Sequence, residues 1–359
     1  MKTALTYDDI QLIPNGSKIQ HRSDINLRTL VSRRYGLLIP LVASPMDTVC
    51  EFEMAYKMAI LGGVGCIHRF MTIDKQSEQV NLLKHKIYGE GFGGLYEYWG
   101  ILDDDWHAEE KSVPIMAAIG VKDEDKKKAK ELAKSGANIL LIDVAHGHHI
   151  NVYDMIVWCK KNLPEHIDII AGNIVTSKAA EYLEYAGVDG LRVGVGGGSL
   201  CTTRIQTGFG VPNVTAIENV ASISNVPIIA DGGIRTSGDI AKALGVGASC
   251  VMVGSLLAGT EETPGKIIEN TTTGGLYKRY RGSASLETKV MHNQEERNVE
   301  GESTIIPFKG GVKFIINGLI GGLKSALSYN GSENLIEFKP EYNIVTNSGI
   351  QESKPHLIK

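Results

Sequence analysis

The stretch "VGVGGGSLCTTR" (193–204) ends on a cysteine, two threonines and an arginine. Glycines let backbone amides and carbonyls approach a ligand or an ion without interference from a Cβ. A thiol beside two hydroxyls at the mouth of such a loop suits a covalent nucleophile. The bland reading of Cys201 is a small buried hydrophobe. Two further glycine-rich turns, "ADGGI" (230–234) and "VGSLLAG" (253–259), follow apolar runs. Asp231 in the first can accept hydrogen bonds from ligand hydroxyls, such as those of a ribose, or cap its own turn. Asp143 closes the apolar part of "NILLIDVAHG" (138–147) and is a candidate binding residue. His146, His148 and His149 follow it, but no matching carboxylate or cysteine spacing completes a metal set.

These residues need a scaffold that brings distant turns together. Eight short apolar runs recur: 39–46, 63–68, 114–121, 138–147, 167–175, 190–196, 227–233 and 250–259. Runs without alternation read as strands buried on both faces, as in a parallel sheet. Amphipathic stretches lie between them. "KDEDKKKAKELAKSG" (122–136) starts acidic and stops on glycine, while 176–187 and 236–248 open on threonine caps. The pattern predicts a (β/α)8 TIM barrel, with a doubly wound open sheet as the alternative. Polar groups follow nearly every strand: Ser44, Asp47, His68, Arg69, Asp143, Asn173, Asp231 and Ser255. A barrel collects its chemistry at that end. Two segments break the rhythm. Residues 86–113 read as a short insertion after the second helix, and 282–313 as a lid or binding loop, its flap over 283–310. The whole is expected to be a single barrel domain.

Composition bounds the function. The 359 residues are 43% hydrophobic and carry a formal net charge of −4. Such a balance argues against a nucleic-acid surface, which needs a basic face, but not against a nucleotide held at a local phosphate site. No apolar run is long enough to span a membrane, and the N-terminus has no apolar signal region. Five cysteines without a paired spacing read as reduced thiols, so a cytoplasmic protein is expected.

Several longer motifs, "ASPMDTV", "GVGGGSLCTTR", "ADGGIRTSGDIAKALGVGASCVMVGSLLAGTEETPG" and "YRGSASL", stand in one order along the chain and closely resemble the IMP dehydrogenase and GMP reductase family. The resemblance covers nearly the whole chain apart from 86–113 and the last 25 or so residues. It implies a homotetrameric barrel acting on a purine mononucleotide with a nicotinamide cofactor. It makes Cys201 the nucleophile toward purine C2. Ser199, Gly233, Gly254 and Ser255 match the phosphate site, and Asp231 the ribose acceptor. Ser44, Tyr280, Gly282 and Ser283 match further nucleotide contacts, although position 283 is often Met in the family. Asp143, Asn173 and Gly194 match the cofactor's riboside site. In the dehydrogenase branch the carbonyls of Gly196, Gly198 and Cys201 match a potassium site; this chain has Gly197 where most members have Pro.

The two branches differ after the shared adduct. The dehydrogenase oxidises IMP with NAD and hydrolyses the adduct, using an Arg-Tyr pair on a mobile flap. The reductase releases ammonia from GMP and takes hydride from NADPH, using a Thr and a Glu near the cysteine. Here no Arg-Tyr pair lies between Glu287 and Glu300, and the insertion is too short for the regulatory CBS modules common in dehydrogenases. Thr203 and Glu300 match the reductase pair, and Arg297 lies near the base. The core motifs read more like dehydrogenases. The flap supplies the deciding base, so the expectation is a GMP reductase, with IMP dehydrogenase as the alternative and a non-catalytic nucleotide-binding regulator as a minor one.

Overall fold

A computed structural model describes residues 3–89, 112–272, 274–291 and 299–345. Eight parallel strands close into a barrel, which excludes the open sheet. They are β1 (Leu41–Ala43), β2 (Val64–Ile67), β3 (Met116–Ile119), β4 (Ile139–Asp143), β5 (Asp168–Ile174), β6 (Gly190–Val193), β7 (Ile228–Asp231) and β8 (Cys250–Val253). Each lies inside one of the eight apolar runs. Residues 139–142 and every residue of β5 are buried, because the barrel fills its centre with one set of side chains and covers its outside with helices.

The strands alternate with α1 (Phe52–Ile60), α2 (Ile73–Tyr88), α3 (Asp123–Ser135), α4 (Ile150–Asn162), α5 (Ser177–Tyr185), α6 (Asn213–Ala221), α7 (Ser237–Gly245) and, after β8, α8 (Val312–Asn330). Local chemistry sets their ends. The Thr176 hydroxyl accepts from the Ala179 amide at the start of α5. Thr236 and Asp239 exchange side-chain and backbone hydrogen bonds in a capping box before α7. Gly136 ends α3 in the left-handed region. Helix α2 runs to Tyr88, so the first residues read as an insertion are helical. The Tyr88 hydroxyl donates to the Val113 carbonyl at 2.6 Å and ties the helix end to the approach to β3. The rest of that insertion, 90–111, lies outside the described residues.

Among the described residues after β8, which leave out 292–298 of the flap, there is more regular structure than the irregular composition suggests. Leu276–Arg281 pairs antiparallel with Ser303–Pro307, and Leu286–Met291 is a short helix between them. At the opposite end of the barrel, Asp168 accepts from Ser32 Oγ and from the amide and guanidinium of Arg34, locking the Thr29–Leu30/Gly36–Leu37 hairpin beneath the strands.

Candidate active site

Cys201 sits in the loop after β6, just before a short helix, Thr203–Thr207. The other four cysteines are buried, and burial pushes their thiols up, Cys159 to about 12. Cys201 is part-exposed, at a cavity of about 340 Å³ at the C-terminal end of the barrel. Its Sγ lies 3.2 Å from Thr203 Oγ1, and that hydroxyl donates to Glu300 Oε2 at 2.6 Å. Thr203 has one hydroxyl hydrogen and gives it to the carboxylate, so the thiol is the donor to Thr203. The chain of three can therefore carry a proton from sulfur to carboxylate and leave a thiolate.

Backbone pairing fixes this geometry. The Thr202 amide donates to the Glu300 carbonyl, and the Glu302 amide to the Leu200 carbonyl. The Gly282 amide donates in turn to the Glu302 carbonyl, and the Glu300 amide to the Ala284 carbonyl. Residues 300–302 of the flap are thus laced between the cysteine loop and residues 282–285. Beneath it, Arg281 forms a buried ion pair with Asp47 at 2.8 Å, anchoring the hairpin to the loop after β1. Tyr280 points its hydroxyl to Ser199 Oγ at 3.2 Å.

The strand ends supply a second cluster. Arg192, buried on β6, donates to Asp143 Oδ1 at 2.5 Å and, through Nε at 3.0 Å, to Asp231 Oδ2. Asn173 Nδ2 donates to the same Asp231 oxygen at 2.8 Å, and Arg69 Nε reaches Asp143 at 3.4 Å. Burial works against the guanidinium charge, but the two carboxylates outweigh it and raise the Arg192 pKa. Asp231 is therefore no turn cap: its carboxylate is aimed by Arg192 and Asn173. A Cβ at Gly194 would fall 2.1 Å from the Asp231 carbonyl, so only glycine lets the two loops pass this closely.

His68 props the adjoining loop. Its Nδ1 accepts from the Phe70 amide at 3.1 Å, which leaves Nε2–H to donate to Glu51 at 3.1 Å. That hydrogen bond holds the Glu51 carboxyl at about 2. Of the three histidines after β4, His149 caps α4 by accepting from the Asn151 amide and His148 packs against Tyr182.

The cavity brings together Ser44, Asp143, Asn173, Gly194, Gly196, Gly198, Ser199, Cys201, Thr203, Asp231, Gly233, Gly254, Ser255, Tyr280, Gly282, Ser283 and Glu300. Arg297 lies outside the described residues. Arg69, named above only as a strand-end polar group, and Arg192, not named there at all, line the same cavity. The signal was present: an arginine inside the apolar run "GLRVGVG" has to find carboxylates.

Comparison with known proteins places this arrangement. The family model described as IMP dehydrogenase / GMP reductase domain matches residues 4–356. An inosine-5'-monophosphate dehydrogenase of Cryptosporidium parvum is 38% identical, covering 99% of this chain and 95% of its own. A GMP reductase of Leishmania donovani is 32% identical, covering 99% and 97%. Among solved structures, a cysteine-to-alanine variant of Trypanosoma brucei GMP reductase in complex with guanosine 5'-monophosphate superposes with a TM-score of 0.87 at 31% identity, covering 99% of this chain and 98% of that one. A closed barrel, a glycine-rich cysteine loop at the mouth of its cavity and a match along nearly the full length lead to one conclusion: the chain belongs to the IMP dehydrogenase / GMP reductase family.

Proposed function

We propose that this oxidoreductase is a GMP reductase, converting GMP to IMP and ammonia with NADPH. The observation that carries the reading is the Cys201–Thr203–Glu300 chain, with contacts of 3.2 and 2.6 Å. The thiol passes its proton through Thr203 to Glu300, and the sulfur adds to C2 of GMP. Glu300, now protonated, gives a proton back through Thr203 to the C2 amino group. Ammonia leaves with the electron pair of its C–N bond, and sulfur stays bound to C2. A nicotinamide cofactor held by Asp143, Asn173 and Gly194 would supply the hydride that C2 receives. The C–S bond then breaks, returning the thiolate and releasing IMP. Ser199, Gly233, Gly254 and Ser255 hold the phosphate in this reading, and Asp231 the ribose. Ser44, Tyr280, Gly282, Ser283 and Arg297 serve the rest of the nucleotide.

Asp143, Asn173 and Gly194 fit the cofactor's riboside: an ion-paired carboxylate and an amide are suited to its hydroxyls, and the arginine network fixes the carboxylate. A homotetramer in the cytoplasm completes the proposal.

The second reading is an IMP dehydrogenase, favoured by the Cryptosporidium parvum relative's identity of 38% against 32% for the Leishmania donovani reductase. It would use NAD and a potassium ion on the carbonyls of Gly196, Gly198 and Cys201. Carbonyl oxygens are suitable donors for that ion. However, Gly198 O already accepts the Cys201 amide, and we route no step through the ion.

The deciding experiment follows the near-ultraviolet absorbance of reduced nicotinamide in two mixtures. With GMP and NADPH the absorbance is expected to fall. A rise with IMP, NAD and potassium, and no change in the first mixture, would overturn the reductase reading in favour of the dehydrogenase.

A further inference from the structure

Two loops must meet for any chemistry on a bound nucleotide. One, after β6, carries Cys201; the other, after β7, carries Asp231 and Gly233. Nothing covalent joins them, yet they touch. A Cβ on Gly232 would lie 2.9 Å from the Gly197 carbonyl carbon. The Asn213 side chain is wedged beside that contact. Asn213, the first residue of α6, is buried, at 6% exposure. Its Nδ2 donates to the Gly232 carbonyl at 2.5 Å and leans toward the Asp231 carbonyl at 3.4 Å. On its other side, Oδ1 faces Arg204 Nη2 at 3.5 Å. That guanidinium also donates to the carbonyls of Val195 and Val211, at 3.1 and 2.8 Å, and so clasps both ends of the cysteine loop.

We propose that Asn213 is a positioning residue that sets the registry between the cysteine loop and the nucleotide-cradling loop; the inference rests on the covalent Cys201 reading but not on which branch of the family the chain follows. The amide offers a donor to one loop and an acceptor to the guanidinium that clasps the other. The fit is close on both sides. A Cβ at Gly197 would sit 2.8 Å from both amide heavy atoms of Asn213, and one at Gly233 would sit 3.2 Å from its nitrogen. The cysteine loop is thus shaped around this amide. Asp231 orients a ribose through its side chain while Asn213 holds its backbone, so a nucleotide seated on the β7 loop is carried to a fixed distance from Cys201. Removing the donor takes that hydrogen bond from the part-buried Gly232 carbonyl and lets the loops slide. Misplacing a reacting atom by about 1 Å costs on the order of 100-fold in rate.

The test uses Asn213→Asp, which keeps the shape and loses both donors, and Asn213→Ser, which shortens the reach without adding charge and serves if the first variant does not fold. Asn213→Gln keeps the amide. The full-length protein is assayed with whichever nucleotide and cofactor the wild type turns over. The expected result is a fall in kcat of about tenfold or more for Asp and Ser, a much smaller change in KM for the nucleotide, and at least partial recovery with Gln. Alkylation of Cys201 by iodoacetamide without nucleotide should stay at the wild-type rate, because the Thr203–Glu300 chain does not pass through Asn213. A wild-type kcat in both variants, or parallel loss of kcat, nucleotide binding and thermal stability with no recovery by Gln, would overturn the proposal. Should the wild type turn over neither mixture, the function reading has failed, and the coupling is read separately. GMP or IMP should then still change the Cys201 alkylation rate in the wild type and not in the Asp or Ser variant. No nucleotide effect in the wild type, or the same effect in both, would refute it.

Discussion

The cavity has two halves built on different principles. The strand-end half, Asp143, Asn173, Arg192 and Asp231, hangs on barrel strands and is fixed by a buried arginine shared between two carboxylates. The flap half, Tyr280, Gly282, Ser283 and Glu300, hangs on a hairpin and is fixed by backbone hydrogen bonds to the cysteine loop. The first half is held by charge in a low-dielectric floor and tolerates little change. The second meets the cysteine loop through main-chain pairing, which is indifferent to the side chains it carries, and keeps an ion pair, Arg281–Asp47, beneath it. In the proposed reading, branch chemistry can therefore vary on the flap while the ribose and cofactor-riboside contacts stay on the strands. The Cryptosporidium parvum and Leishmania donovani relatives, one named for each activity, match this chain at 38% and 32% identity. Overall likeness does not separate the branches.

Substitutions in the two halves should behave differently. The largest effect is expected at their junction: Cys201→Ala should abolish turnover while GMP or IMP still binds, as read by steady-state assay and calorimetry. Full activity in that variant would remove the covalent mechanism. On the flap half, Glu300→Gln should lower ammonia release by about 100-fold or more, the range of a lost acid–base group, with little change in melting temperature. Rapid-quench measurement should show hydride transfer impaired less than deamination; equal loss of both would refute the proton relay. On the strand half, Arg192→Lys keeps the charge but not the fork that spans two carboxylates. It should raise KM for nucleotide and cofactor by about tenfold and lower the melting temperature, whereas Arg192→Ala, which takes the shared guanidinium from two part-buried carboxylates, should cost about 3 kcal/mol in denaturant unfolding.

The smallest effect concerns acid. Glu51 is held at about 2 by the His68 hydrogen bond, below its usual 4.5. A depressed carboxyl contributes stability above its unfolded value, and that contribution is lost as pH falls toward the folded one. Acid unfolding of Glu51→Gln should therefore be less steep between pH 4.5 and 2 than that of the wild type. Identical acid profiles would show that the His68–Glu51 prop does not act through this proton.

The eight strands were legible because each is a continuous apolar run bounded by turn residues, and parallel strands buried on both faces leave that trace. The helix ends at Thr176, Thr236 and Gly136 were legible from cap chemistry alone. Cys201, Asp143, Asn173 and Asp231 were legible as groups at strand ends. Their pairing was not: Arg192 meets Asp143 and Asp231 across gaps of 49 and 39 residues, and no local pattern encodes which strands become neighbours. The hairpin around Leu276–Arg281 was hidden for another reason. Two of its buried positions carry charged residues, Lys278 donating to the carbonyls of Thr260 and Thr263 and Arg281 pairing with Asp47, so no apolar pattern marks it. Asn213 left no trace, since its importance lies in the two loops it touches.

The central claim is that the flap half, through Glu300 and Thr203, makes this chain a deaminating reductase. The most direct test is product stoichiometry with purified protein, GMP and NADPH. One IMP and one ammonia formed per NADPH oxidised is the predicted result. NADPH left intact and no ammonia, with XMP formed when IMP and NAD are supplied instead, would contradict it.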